Sequence, residues 1–261
     1  MANLSLRKWY LDAIAEDGRA WIAYWATLRL GPLSLALTSV LESAPGQAPR
    51  TRTSISGGEE PRESDGAIAW SHDALAIRGN WSRVDPPADL ELLNNANGSI
   101  RWRCAAPRAR VELLTAGERV HAMGYAEVMD MTIAPWRLPI RELRWGRAVG
   151  AGGSVVWIDW RGAHERTDVL VDGSPVAARV RDDAIEGDTF SLRLTRDRTL
   201  RDGAIGTTAL AGVPGISSWA PAQFLTTHET KWISRAAFAS GPRSWSGWAI
   251  HEVVRFPEPE P

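Results

Sequence analysis

Two glutamates, Glu127 and Glu252, stand alone among apolar side chains in segments that alternate with a period of two. In the first, Tyr125, Glu127, Met129, Met131 and Ile133 share one face, with Ala126, Val128, Asp130 and Thr132 on the other. In the second, Trp248, Ile250, Glu252, Val254 and Phe256 share a face opposite Ala249, His251, Val253 and Arg255. A carboxyl group in a low-dielectric wall has its pKa raised and can act as a general acid. Two of them in one cavity would be driven apart in pKa, giving an acid and a base. The structural alternative is that each is held by an arginine or by backbone N–H groups, with Arg141, Arg144 and Arg147 available beside Glu127. Asp159 shares a face with Trp157 and Arg161. It reads either as an ion pair at a rim or as a group that orients a substrate or a neighbouring arginine.

Other chemistries lack their residues. The five histidines, at positions 72, 121, 164, 228 and 251, show no metal-ligand spacing, and one cysteine, Cys104, excludes an intrachain disulfide. No glycine-rich loop links a strand to a helix, so neither a metal nor a nucleotide cofactor is expected. No serine sits on a nucleophile elbow. A net charge of −1 and the absence of a basic block argue against nucleic acid as a partner. No apolar run is long enough to span a bilayer, and the first residues do not read as a signal peptide, so a cytoplasmic protein without stable membrane insertion is expected.

The elements that must position these groups are short strands. Ala20–Leu30 and Leu33–Leu41 read as a hairpin, and Leu90–Leu93 and Ser99–Cys104 flank the turn Asn94–Gly98. In the densest stretch, residues 124–162, Tyr125–Ile133, Leu143–Val149 and Ser154–Trp160 are strands. Pro135 and Pro139 make the segment between the first two an extended connector. Glu42–Asp65 reads as a long polar surface loop, and Pro257–Pro261 as a disordered tail. Strands at this spacing predict an all-β chain. The 14 tryptophans supply wall material for a cavity or filling for a core. Trp25, Trp157 and Trp248 are wall candidates because each lies on an alternating face with apolar neighbours, and Met129 because it shares the face of Glu127.

At Gly124, Tyr125, Ala126 and Glu127, followed by Trp136, Trp145, Gly146 and Trp157, the chain resembles the carotenoid 1,2-hydratase and AttH-like superfamily. The resemblance implies two tandem lipocalin-like antiparallel β-barrel domains, set here at residues 1–122 and 123–261, with the Gly124-Tyr125 motif opening the second. It implies hydration, isomerisation or cyclisation of an apolar unsaturated small molecule of terpenoid or polyketide type. Relatives often carry histidine or aspartate where this chain has Glu127. On this reading Glu127 is the acid, Glu252 the base or orienter, and Tyr125 a hydrogen-bond donor. Arg144 and Asp159 are polar partners, and Trp25, Met129, Trp136, Trp157 and Trp248 are substrate contacts. A protein that binds an apolar ligand without changing it fits the same residues.

Overall fold

The computed structural model describes residues 4–55, 58–213, 215–218 and 220–257, and the backbone alone of Leu33. The expected tail beyond Pro257 lies outside these residues. The chain divides into two units, Met1–Arg137 and Leu138–Pro261. Among the described residues each is one antiparallel sheet, so the all-β expectation is met.

The first sheet comprises β1 (Leu4–Ile14), β2 (Ala20–Leu30), β3 (Leu33–Ser43), β4 (Arg50–Ser54), β5 (Arg62–Ser64), β6 (Ala67–His72), β7 (Ile77–Arg83), β8 (Ala88–Asn95), β9 (Gly98–Thr115) and β10 (Glu118–Met131). Its ladder runs β4-β3-β2-β1-β10-β9-β7-β6-β5, with β8 paired to β9. The second comprises β11 (Glu142–Gly150), β12 (Gly153–Arg161), β13 (Arg166–Val171), β14 (Ser174–Val176), β15 (Ala178–Val180), β16 (Ala184–Gly187), β17 (Ser191–Ala204), β18 (His228–Ser240) and β19 (Arg243–Arg255). It runs β14-β13-β12-β11-β19-β18-β17-β16-β15. The two ladders share a plan: the last strand of each unit pairs with its first, β10 with β1 and β19 with β11. Glu127 and Glu252 therefore occupy equivalent strands of a structural repeat.

The hairpins follow the turn chemistry. Val171 and Ser174 pair across Asp172 and Gly173, both at positive φ (52° and 79°), the backbone that a two-residue turn between twisted strands requires. The polar stretch from Glu42 to Asp65 is not all loop, because it carries β4 and β5, the two edges of the first sheet.

The division falls after Arg137, later than residue 122. Residues 123–131 pair antiparallel with β1, from Ile14↔Met123 to Leu6↔Met131, so the Gly124-Tyr125 motif closes the first unit and does not open the second. Gly124 is required there by close approach. A Cβ on it would lie 2.1 Å from the carbonyl oxygen of Asp12 and 2.6 Å from Val111. That same carbonyl accepts the indole N–H of Trp81 at 2.7 Å. Gly124→Ala is expected to destabilise the protein by roughly 1–3 kcal/mol through overpacking against backbone. An unchanged urea midpoint would show that β1 can move aside.

One apolar cluster draws on strands along the whole first sheet, so the sheet curls around it. It includes Trp9, Trp21, Trp25, Trp70 and Trp81, and from β10 the small side chains Ala126 and Val128. The second sheet curls likewise around Trp157, Phe238, Trp245, Ala148, Ala249 and their neighbours. In both units the opposite face of the central strands is buried too: Tyr10, Ile22, Tyr125 and Glu127 in the first, and Arg147, Val156, Lys231 and Ile250 in the second. No helix among the described residues is long and apolar enough to cross a membrane.

Candidate functional site

Glu127 projects from β10 on the face opposite the tryptophan cluster and is 5% exposed. Its strand neighbours in register are Tyr10 on β1 and Cys104 on β9. The β9–β10 ladder shifts register between Gly124 and Ala126 and again between Ala126 and Glu127. Pro107, in β9 opposite this irregularity, has no N–H to donate to a ladder. The two one-residue shifts add, and beyond them Cys104 stands opposite Glu127 and Trp102 opposite Met129, on the same side as Glu127.

Two neutral donors converge on one carboxylate oxygen. The indole Nε1 of Trp102 lies 2.5 Å from Oε2 of Glu127, and the hydroxyl of Tyr125 donates to the same oxygen at 2.7 Å. Burial pushes the Tyr125 hydroxyl well above its ordinary pKa, reinforced by Cys104 and Glu127, so Tyr125 keeps its proton throughout the neutral range. Burial likewise raises the Cys104 thiol, which makes it an inert core group and not a nucleophile. Tyr10 packs edge-on against Tyr24 at 5.2 Å and against Tyr125 at 6.0 Å, giving the carboxylate an aromatic surround. Of the other residues expected near it, Met129 is half-buried two positions along β10, and Trp136 is half-buried in a short 3₁₀ turn, Pro135–Arg137.

Glu252 has different company. Lys231 Nζ lies 2.5 Å from Glu252 Oε2 and 3.2 Å from Glu229 Oε1, and Arg201 reaches Glu229 at 3.0 Å. Burial raises the Glu229 carboxyl, but Lys231 and Arg201 outweigh it and hold the group at about 2. This is an ion network on the face of β18 and β19 away from their aromatic core.

Arg144 and Asp159 face each other in register on β11 and β12. Arg144 binds Glu142 at 2.7 Å and pairs with Asp182. Asp159 accepts from Thr167 at 2.6 Å and from Arg161 at 2.9 Å. Both are thus committed within one ion-paired cluster of the second unit. Trp25 and Trp157 lie in the cores of the first and second units, whereas Trp248 lies on the opposite face beneath Arg235, whose guanidinium sits 3.5 Å from the ring centre.

One polar group of the second core escapes sequence reasoning that asks only about metal spacing. His251 is 5% exposed, its Nε2 lies 2.8 Å from Oγ of Ser234, and its ring sits 5.2 Å from Trp232 and 6.3 Å from Trp157. Gly146 between them makes this possible, because a Cβ there would lie 2.2 Å from Trp157 and 2.7 Å from His251. The legible signal was His251 in a row of small and β-branched residues on the last strand. Burial, with a contribution from Arg196, lowers the His251 pKa to about 4. A histidine with a folded pKa below its unfolded value binds its proton more readily when unfolded. Stability should therefore fall as pH drops below about 6.5, by about 3 kcal/mol once pH reaches about 4. Urea titrations above and within that window should show the loss, and His251→Gln should flatten it. An unaltered pH profile in that variant would assign the loss elsewhere.

No protein-family model matches the chain, and no curated protein matches it. Solved structures do. A Nitrosomonas europaea protein assigned to AttH superposes with a TM-score of 0.59 at 12% identity, covering 97% of this chain and 93% of its own. CghA gives 0.57 at 10% identity, covering 98% and 90%, and has also been solved with Sch210972. Kievitone hydratase from Nectria haematococca gives 0.51 at 9% identity, covering 97% and 89%. At these identities the likeness is one of fold, and it runs along almost the whole chain: the protein has the tandem lipocalin-like β-barrel fold of the AttH-like proteins and kievitone hydratase.

Proposed function

We propose that the protein is an enzyme that hydrates, isomerises or cyclises an apolar, unsaturated small molecule, with Glu127 and Tyr125 as the chemical centre. The observation that supports this reading is the buried Glu127 carboxylate, held on one oxygen by Trp102 and Tyr125. Glu229, Glu252 and Asp159 each sit against a lysine or arginine. The hydrogen bonds to Glu127 from Trp102 and Tyr125 fix the orientation of its carboxyl group. In hydration, Glu127 takes a proton from water as the water oxygen bonds to one carbon of a polarised double bond, and returns that proton to the other carbon. In isomerisation or cyclisation, Glu127 in its acid form gives its proton to the double bond and takes one back from a carbon next to the resulting cation. Tyr125 stays protonated and supplies a donor for a carbonyl or hydroxyl handle on the substrate. The rings of Tyr10 and Tyr125 present π-faces to positive charge. Whether the cation is captured by water or closes on a second double bond depends on how far the walls exclude water.

The name of kievitone hydratase supports the addition of water to an unsaturated small molecule. The test is incubation of the purified protein with kievitone and with unsaturated polyketide acids, followed by mass spectrometry. A mass gain of one water, or an isomer of altered retention at unchanged mass, is the expected result. Tight binding of every ligand with none converted would replace this reading by that of a carrier.

A further inference from the structure

The aromatic core of the first domain is capped on one side by its own chain. The segment between β4 and β5 brings Gly58, Glu59 and Glu60 against three tryptophans from three different strands. Trp25 Nε1 donates to the carbonyl of Gly58 at 2.9 Å, Trp70 Nε1 to the carbonyl of Glu59 at 3.2 Å, and Trp9 Nε1 to Oε1 of Glu60 at 2.8 Å. Arg7 Nε reaches the same Glu60 oxygen at 2.6 Å. Loop oxygens ordinarily face water. These face indoles of the aromatic core.

Two further observations bear on what the arrangement is for. His72, on β6, is 6% exposed, and neither ring nitrogen has a hydrogen-bond partner among the described residues. Its ring lies against Gly58, where a Cβ would come within 2.6 Å of His72 Cδ2. A buried imidazole without partners is costly and calls for an explanation. Beside the strap lies an open cavity of about 610 Å³ walled by Trp9, Trp102 and Val128 and by charged groups of both signs, among them Arg7, Arg101 and Asp130, a size that suits a small organic ligand.

We propose that the first domain contains a second ligand site, for an aromatic or polycyclic carboxylic acid bearing carbonyl oxygens, and that Gly58–Glu60 occupies it as an internal surrogate. Each part of the strap stands where a part of such a ligand would go. The Glu60 carboxylate fills a half-exposed seat built from Trp9 and from Arg7, whose guanidinium is shared with Asp130 at 2.7 Å. The carbonyls of Gly58 and Glu59 fill two further donor positions, and an indole N–H can only donate, so the seats select acceptors. Trp9, which lines the cavity, supplies an aromatic wall for a ring system. His72 gains the hydrogen bond that the strap leaves unmade. Glu127 itself projects from the other face of β10 and does not line the cavity, although Trp102, which donates to it, does. Because the strap competes with the ligand, the apparent affinity equals the intrinsic one reduced by the fraction of molecules with the strap displaced.

The test uses the full chain and coumarin-3-carboxylate, followed by quenching of tryptophan fluorescence. Glu60→Ala weakens the competitor without altering the seat, so it should bind the probe at least about tenfold more tightly than the unaltered protein. Adding Trp9→Phe, which deletes one donor, should reverse most of that gain, and the ethyl ester of the probe should bind weakest. Equal affinities with and without Glu60→Ala, or no binding to either, would overturn the proposal. Limited proteolysis of the unaltered protein by a glutamate-specific protease, which cuts after Glu59, provides a measurement that does not depend on a variant folding. Saturating probe should speed cleavage there, and an unchanged rate at millimolar probe would also overturn the proposal. Glu127 is untouched in every arm, so turnover measured in parallel reads the proposed function independently.

Discussion

Glu127→Gln is expected to fold as the unaltered protein does and to lose turnover by roughly 10²–10⁴-fold, the range associated with removing a positioned acid–base group. The replacement keeps the volume of the side chain and leaves an oxygen that can accept from Tyr125 or Trp102, so the aromatic surround should hold. What disappears is the negative charge and the capacity to carry a proton. Circular dichroism and the thermal midpoint check the fold, and single-turnover conversion of whichever substrate shows a product checks the chemistry. Conversion at the unaltered rate would make Glu127 a structural acceptor for Trp102 and Tyr125. Tyr125→Phe serves as the companion, because it removes one of the two donors while the carboxylate remains.

The largest effect on stability is expected at Lys231. Its ammonium is buried, 2.5 Å from Glu252 and 3.2 Å from Glu229. Lys231→Met keeps the aliphatic stem and removes the charge, leaving two carboxylates with fewer cations between them. Breaking a buried ion network at one member costs about 3–5 kcal/mol, because the remaining charges stay desolvated. Chemical denaturation should show this as a lower midpoint at unchanged slope. Adding Glu252→Gln should recover a substantial part of the loss, since it removes the charge that Lys231 had balanced. Strictly additive losses in the double variant would show that the two groups are not coupled.

The same network has an acid limit. Glu229 has a folded pKa of about 2 against an ordinary 4.5. A depressed carboxylate contributes stability that is complete above its unfolded pKa and is lost as pH falls through the folded one. The contribution should therefore fade between about pH 4.5 and 2, below the window in which His251 acts. Lys231→Met, by removing a cation that lowers Glu229, should move that acid transition upward.

How much of this was legible in the sequence differs from one feature to the next. The strands Ala20–Leu30 and residues 154–160 stood out because β-branched and aromatic residues alternate there between turn signals, and local chemistry of that kind survives folding intact. The turn within Asn94–Gly98 was legible for the same reason, and Asn95 pairs with Gly98 across it. The Gly124-Tyr125-Ala126-Glu127 run was rightly singled out, yet it was assigned to the wrong unit. Nothing local says that β10 pairs with β1, more than a hundred residues earlier in the chain, and that pairing is what places the boundary.

The face of Glu127 shows the same limit. Alternation puts the large residues Tyr125, Met129 and Met131 on one side of β10 and the small residues Ala126 and Val128 on the other, without saying which side meets the core. The small side does, because the tryptophans that fill the core come from β1, β2, β6 and β7 and need room there. Period-two alternation established that the two sides of β10 differ. Which side is concave is decided by side-chain volumes on strands far apart in sequence.

The sequence by itself determined the β class, the strand faces and the isolation of Glu127 and Glu252, since these depend on residue type and a period of two. Only the tertiary structure decided that Trp102 and Tyr125 hold Glu127, that Lys231 holds Glu252, and that three indoles hold Gly58–Glu60. Hydrogen bonds and ion pairs are made across strands, and register, not spacing along the chain, chooses the partners.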